Sequence, residues 1–266
     1  MLSFSYFTDG EYERAFFEFG DIRSKIAQSM RELVSREDIT VLDLLSGHGL
    51  LSAEMAKRFP ASRIIGLGLR NDVESWKGVR NSGRYDMNVW SHFQYIQANS
   101  VSIPLRSSTC DMIVNFLGLE DVHMTSGLTG LRKMVGEIER VARYDSLIQF
   151  SMVEYGDSPE ERVAQEVWRE IGLDAVFLEK AEYLEVFEKV GLHLVNEYTL
   201  RMNKKMTASQ AKEELQFACN EAPKIFTAFG VDAKDFNSLW DVFGERIEAH
   251  GMAFWSRVHV IILSKR

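Results

Sequence analysis

The apolar run Ile39-Thr-Val-Leu-Asp-Leu-Leu45 stops at the turn Ser46-Gly-His-Gly49 and passes at once into a helical stretch, Leu50 to Phe59, ended by Pro60. No other segment narrows the fold as much. A strand buried on both faces reads as a continuous apolar run, and such strands belong to parallel sheets covered by helices. Proline closes the helix because it lacks an amide proton and its ring clashes with the preceding turn. The same unit then recurs. Arg63-Ile-Ile-Gly-Leu67, Phe93 to Gln97, Asp111 to Phe116, Ser146 to Val153, His193 to Leu200 and Ser256 to Leu263 read as six further strands.

Helical patterns fill the spaces between them. Asn71 to Arg84 reads as a helix plus loop. From Ser126 to Arg143, Leu128, Leu131, Met134, Val135, Ile138 and Val141 fall on one face, opposite Arg132, Glu137 and Glu139. Ser158-Pro-Glu-Glu161 is a capping box with proline at the first helical position, opening a helix that closes near Gly172. Another helix ends at Gly191. Two more follow, one opened by the Thr207…Gln210 capping box and one over Asp232 to His250. Strands alternating with helices predict an α/β fold: a seven-stranded, mostly parallel sheet with helices on both faces.

Residues 1–266 read as a single domain, since four prolines and no low-complexity tract mark no linker. Three segments are additions to it. Residues 1–37 form a helical cap rich in aromatics, including Tyr6 and Tyr12, with a helical period from Glu11 to Leu33. Residues 157–173 are a helical insertion. Residues 203–252 exceed any ordinary turn and form a helical lid between the last two strands.

Composition excludes several classes. The net charge is −8 and no basic cluster is dense, Arg201 to Lys205 being the richest, so a nucleic-acid partner is disfavoured. No stretch reaches the ~18 apolar residues of a membrane span. The start of the sequence lacks a signal-peptide pattern, and Cys110 and Cys219 have no motif spacing; both points suit a reducing cytoplasm. The six histidines show no metal-ligand spacing, so no metal is expected.

In an open α/β sheet, ligands bind beyond the carboxyl ends of the strands. Gly47 and Gly49 let the turn after the first strand tighten and approach a ligand, the next helix offers free N–H groups, and Asp43 supplies an acceptor. Gly47-x-Gly49-x-x-Ser52 also fits a dinucleotide-type loop superficially. With Asp43 four residues before Gly47, however, the segment resembles the first motif of class I S-adenosylmethionine-dependent methyltransferases, acidic-x-Gly-x-Gly-x-Gly, with Leu45 at the first glycine. Further stretches resemble the same family in order: Asn99-Ser-Val-Ser-Ile-Pro-Leu105, Ser108 to Val114, Val114 to Val122 as the loop after the fourth strand, and Glu137 to Ala142.

The resemblance implies S-adenosylmethionine as cofactor, bound by Asp43, Leu45, Ser46, Gly47, Gly49, Gly68, Leu69, Asn99, Ser100 and Asn115. Two positions depart from it. The acid that binds the ribose hydroxyls falls at Gly68, the nearest carboxylate being Asp72, and the adenine-loop acid is Asn99. The implied activity is methyl transfer to a small-molecule acceptor, a protein acceptor being a second possibility. The alternative is a degenerate relative that binds or scaffolds without catalysis, and a nicotinamide oxidoreductase is a third reading. Methyl transfer asks little of side chains beyond alignment and water exclusion, so no catalytic residue is assigned. His123, after Glu120 and Asp121, is a possible base; Glu154 and Tyr155 face the same mouth, and His48 lies between the glycines.

Overall fold

β1 (Thr40–Leu44) has hydrogen-bonded neighbours on both sides and is buried from Val41 onward, as its apolar run demands. The computed structural model describes residues 22–70, 72–83, 85–171, 178–201, 205–226 (backbone alone over 221–226), 234–253 and 255–266. The N-terminal aromatics, Tyr6 and Tyr12 among them, lie outside the described residues. The helix foreseen over Glu11 to Leu33 is described only as α1 (residues 22–33).

β2 (Arg63–Gly68), β3 (Phe93–Gln97), β4 (Cys110–Val114), β5 (Ala142–Glu154), β6 (Leu192–Arg201) and β9 (Arg257–Lys265) complete a seven-stranded sheet in the order β3-β2-β1-β4-β5-β9-β6. The first five strands run parallel, and β9 inserts antiparallel between β5 and β6. The expected α/β architecture is therefore present. Two short strands not foreseen, β7 (Lys205–Met206) and β8 (Met252–Ala253), pair with each other.

Helices cover both faces. On one, Ile22, Ile26 and Met30 of α1 and Leu51 and Met55 of α2 (Leu50–Arg58) bury against Val41, Met112 and Val260. Trp76 and Val79 of α3 (Asp72–Asn81) join them. On the other, α4 (Leu119–Val141) and α6 (Lys180–Glu188) pack Leu131, Ile138 and Phe187 on Leu42, Ile113 and Phe150. The start of α4 corrects the sequence reading. The chain leaves helical geometry at Gly127, so the foreseen helix from Ser126 onward is preceded by a short helical segment from Leu119. That segment, not a loop, carries Glu120, Asp121 and His123. Leu128, expected on the apolar face, is 38% exposed. Gly127 breaks the period with φ 61°, which hides the earlier turns from a periodicity argument, although buried Leu119 and Val122 belong to the core face.

A third apolar core lies at one end of the sheet. α5 (Pro159–Glu170), α7 (Ala208–Phe226) and α8 (Phe236–His250) enclose Val163, Val167, Leu215, Leu239, Phe243 and Ile247. The two foreseen insertions thus meet and bury each other's apolar faces. The Thr207–Gln210 cap forms reciprocally, at 3.0 and 3.3 Å. The last helix starts at Phe236, capped by Asp235, later than expected from the pattern over Asp232 to His250; Asp232 lies outside the described residues. Because β5 parallels β1, and Glu154 at its end pairs with Arg257 at the start of β9, this unit stands at the same end of the sheet as the Gly47 turn.

Glu161 ties the unit down. Its buried carboxylate accepts from Gly156 N at 2.7 Å, Ser256 N at 3.0 Å and the Ser158 hydroxyl at 3.0 Å, joining α5 to the end of β5 and the entry to β9. Burial opposes its charge, but hydrogen bonds from Ser256, Gly156 and Ser158 prevail and hold the carboxyl below its usual range. A depressed carboxyl adds stability that is complete above the ordinary carboxylate range and fades as pH falls through the folded value. Glu161→Gln is expected to cost about 1–3 kcal/mol near pH 7, with the gap closing in acid. Urea denaturation at both ends of that range checks this, and a pH-independent gap would contradict it.

Candidate active site

The strand order sets four carboxyl ends side by side, from β3 through β2 and β1 to β4. The ten residues singled out in the sequence all fall at those ends: Asn99 and Ser100 after β3, Gly68 and Leu69 at β2, Asp43 to Gly49 at β1, and Asn115 after β4. The turn after β1 is held by Ser46 N donating to Leu67 O at 2.8 Å and Gly49 N donating to Ser46 O at 2.8 Å. It requires three left-handed residues, Leu45 (φ 58°), Gly47 (φ 48°) and Gly49 (φ 76°). Leu45 adopts a left-handed backbone without being glycine, at the steric cost a Cβ carries in that region.

A recess of about 170 Å³ opens on this turn, bordered by Asp43, Ser46, Gly47, His48, Phe116 and Arg23. Open space surrounds the position where a Cβ of Gly47 would stand. Asp43 is 1% exposed and accepts from the Ser52 hydroxyl at 2.6 Å, which anchors β1 to α2. Burial pushes its carboxyl up to about 7, against the pull of Ser52 and of Arg23. Burial and the Arg23 charge push His48 down to about 4, so its imidazole is neutral at neutral pH. The Arg23 guanidinium lies 4.6 Å from the Phe116 ring centroid. Nothing in the sequence separated Arg23 from the other polar positions of α1.

Asn115 is fully buried. Its Nδ2 donates to Leu44 O at 2.7 Å, while its Oδ1 has no hydrogen-bond partner among the described residues. A buried acceptor left in that state is costly unless a ligand or water supplies a donor. Asn99 Oδ1 accepts from Val101 N at 3.1 Å and shapes its own loop, leaving the amide donors outward. Leu69, 42% exposed, holds an apolar side chain in solvent beside the end of β2.

Gly68 has a tertiary cause that the sequence did not disclose. A Cβ there would stand 2.1 Å from Tyr95 Oη and 2.8 Å from Asp72 Oδ2. Tyr95, from β3, crosses the glycine to donate to Gly47 O at 3.3 Å, and Trp76 stacks on it with centroids 5.5 Å apart. Restoring an acid at position 68 would therefore collide with the tyrosine.

At the far side of the recess, Leu117 (φ 64°) and Gly118 (φ 99°) aim the first turn of α4 back toward the β1 turn; the Cβ position of Gly118 is 3.2 Å from Leu45 Cδ1. Desolvation, helped by the adjacent Asp121 charge, pushes the carboxyl of half-buried Glu120 above its usual range. Its charge in turn adds to the burial that raises the Tyr155 and Tyr183 hydroxyls. Glu154 does not face the recess as a free group, because Arg257 and His259 hold its carboxylate. His123 is half-buried on α4, and its Nδ1 has no hydrogen-bond partner among the described residues. Cys110 and Cys219 are buried free thiols, and burial pushes Cys110 up to about 12. No metal-ligating cluster occurs among the described residues, and none of their helices is long and apolar enough to cross a membrane.

No family model matches the sequence, and a comparison with curated proteins gives no match. Solved structures do match. YcgJ from Bacillus subtilis is 17% identical, over 90% of this chain and 97% of its own, with a TM-score of 0.58. Geranyl diphosphate C-methyltransferase from Streptomyces coelicolor A3(2), solved with Mg²⁺, geranyl diphosphate and S-adenosyl-L-homocysteine, is 12% identical over 97% and 85% of the two chains, with a TM-score of 0.57. The [4+2]-cyclase SpnF is 13% identical over 91% and 80%, with a TM-score of 0.55. The fold is that of the Rossmann-like methyltransferases.

Gly68→Ala is expected to destabilise the protein by about 1–3 kcal/mol, the usual range for overpacking. Tyr95→Phe in the same chain removes the colliding oxygen and should recover part of the loss. Thermal unfolding of the two single variants and the double variant reads this directly. Additive losses would mean that the tyrosine hydroxyl is not what keeps position 68 a glycine.

Proposed function

We propose that this chain is an S-adenosylmethionine-dependent methyltransferase acting on a small-molecule acceptor. The observation that carries the reading is the recess at the carboxyl end of β1, where an open glycine turn and a buried carboxylate face one space, with the orphaned buried acceptor of Asn115 just beyond the neighbouring strand β4. The residues suit the group. Gly47 gives the backbone close approach, Asp43 suits an ammonium, and the Arg23 guanidinium suits a carboxylate, the two ends of an amino acid. Leu69 offers an apolar surface for a base, and Asn99 offers amide donors to its ring. When bound, the cofactor supplies an already electrophilic methyl carbon, so alignment and exclusion of water are the protein's main tasks.

The unit built from α5, α7 and α8 supports a small acceptor. It stands at the site's end of the sheet with its own core, placed to restrict what enters and to limit water. Glu120, whose carboxyl is raised by desolvation and the adjacent Asp121 charge, suits removal of a proton from an acceptor oxygen or nitrogen, and the proton would pass to its carboxylate. The acidic surface and the absence of a dense basic run in the sequence fit a small molecule better than nucleic acid.

A second reading follows from Leu45, whose side chain reaches the Gly118 position across the cleft. A member that binds the nucleoside without transferring a methyl group would fit that narrowing. The SpnF cyclase shows that the fold accommodates other chemistry.

Titration calorimetry with S-adenosylhomocysteine is the test. Saturable one-to-one binding is expected, with NADH giving no heat; no binding by the homocysteine compound would end the proposal. Because proton and ligand ammonium compete for Asp43, affinity should fall as pH drops through about 7, by up to about tenfold per unit. Asp43→Asn should flatten that dependence. An unchanged slope would remove Asp43 from the ligand's surroundings.

A further inference from the structure

We propose that Asp72 and Tyr95 hold the ribose of the bound nucleoside, in place of the side chain that position 68 lacks. The inference rests on the cofactor reading above and names residues that the family pattern does not. Three facts place the two groups. First, Asp72 Oδ2 lies 2.8 Å from where a Cβ of residue 68 would be, so a carboxylate from α3 occupies the space an acid on β2 would enter. Second, that carboxylate is fixed, because Oδ2 accepts from Leu69 N at 2.7 Å. Among the described residues no other donor reaches Asp72, so Oδ1 is available to hydroxyl groups. Third, the Tyr95 hydroxyl lies 2.1 Å from the same Cβ position, with its proton directed to Gly47 O at 3.3 Å. A phenol oxygen whose proton is committed presents its lone pairs as acceptors, one of them toward the neighbouring Ser46 hydroxyl and the other left for a ligand.

The chemistry matches a vicinal diol. Two hydroxyl donors need two acceptors at a fixed spacing, and a carboxylate with a neighbouring hydroxyl oxygen provides them. Burial raises the Asp72 carboxyl, with only the Leu69 amide opposing, so its charge is poorly solvated in the free protein and gains from added donors. Trp76, stacked on Tyr95 and 2.9 Å from the Cβ position of Gly49, keeps the ring from swinging away. On this account Gly68 is the clearance for a tyrosine, and the acid has moved one helical turn along the chain. The departure then marks a different arrangement of the same contacts and gives no sign of lost binding.

The experiment compares S-adenosylhomocysteine with its 2′,3′-dideoxy analogue by calorimetry on the full chain. Asp72→Asn suits the purpose, since the amide oxygen still accepts from Leu69 N and preserves the loop. The expected result is a loss of about tenfold or more for S-adenosylhomocysteine, with the dideoxy analogue bound equally by variant and wild type. Tyr95→Phe should give a smaller loss, about threefold, with the same insensitivity toward the analogue. If Asp72→Asn binds S-adenosylhomocysteine like the wild type, or weakens both ligands equally, the ribose assignment is overturned. Failure of the wild type itself to bind S-adenosylhomocysteine would instead overturn the cofactor reading on which it rests.

Discussion

Three residues with positive φ, Leu45, Gly47 and Gly49, turn the chain from β1 into α2 within five residues, and the rest of the site is arranged around that turn. The turn is held from below by the Asp43–Ser52 hydrogen bond and from the side by Ser46 N on Leu67 O. It leaves backbone, and no side chain, facing the recess at Gly47. Each flanking element then contributes one kind of group: α1 a guanidinium, α3 a carboxylate, β3 a phenol, β4 a buried amide, and the first turn of α4 a pair of acids. Leu45 shows that the backbone geometry is the essential quantity, since the left-handed conformation persists without the glycine that makes it cheap.

The electrostatics of the recess follow from its burial. Asp43, Asp72 and Glu120 all have carboxyls raised by desolvation, and the Arg23 charge opposes that rise at Asp43. Such groups are unfavourable for an empty site and favourable for one that receives donors. The orphaned Oδ1 of Asn115 makes the same point with a neutral group. Stability given up at these positions is the usual signature of a place where a ligand completes the structure.

Much of the fold was legible in the sequence. The strands were readable because each is a short apolar run, and the caps at Ser158 and Thr207 because their partners sit three residues away. What was not legible depended on contacts distant in sequence. Gly68 read as a missing acid, since the tyrosine that fills its space comes from β3 and the replacement carboxylate from α3. The short helical segment from Leu119 read as a loop because Gly127 separates it from the foreseen helix and interrupts the period. Arg23 carried no signal at all, as its role arises only when α1 packs beside Phe116. The meeting of the two insertions in one core likewise depends on the antiparallel β9, which brings the end of β5 and the end of β6 together.

The most direct test of the account is a crystal structure of the protein grown with S-adenosylhomocysteine. The account predicts density for the ligand at the carboxyl ends of β1 and β2. Its amino-acid end should lie near Asp43 and Arg23, and its ribose against Asp72 and Tyr95, with Gly68 beneath. Ligand density at another place on the sheet, or Tyr95 and Leu45 filling the recess while the ligand stays in solution, would contradict it.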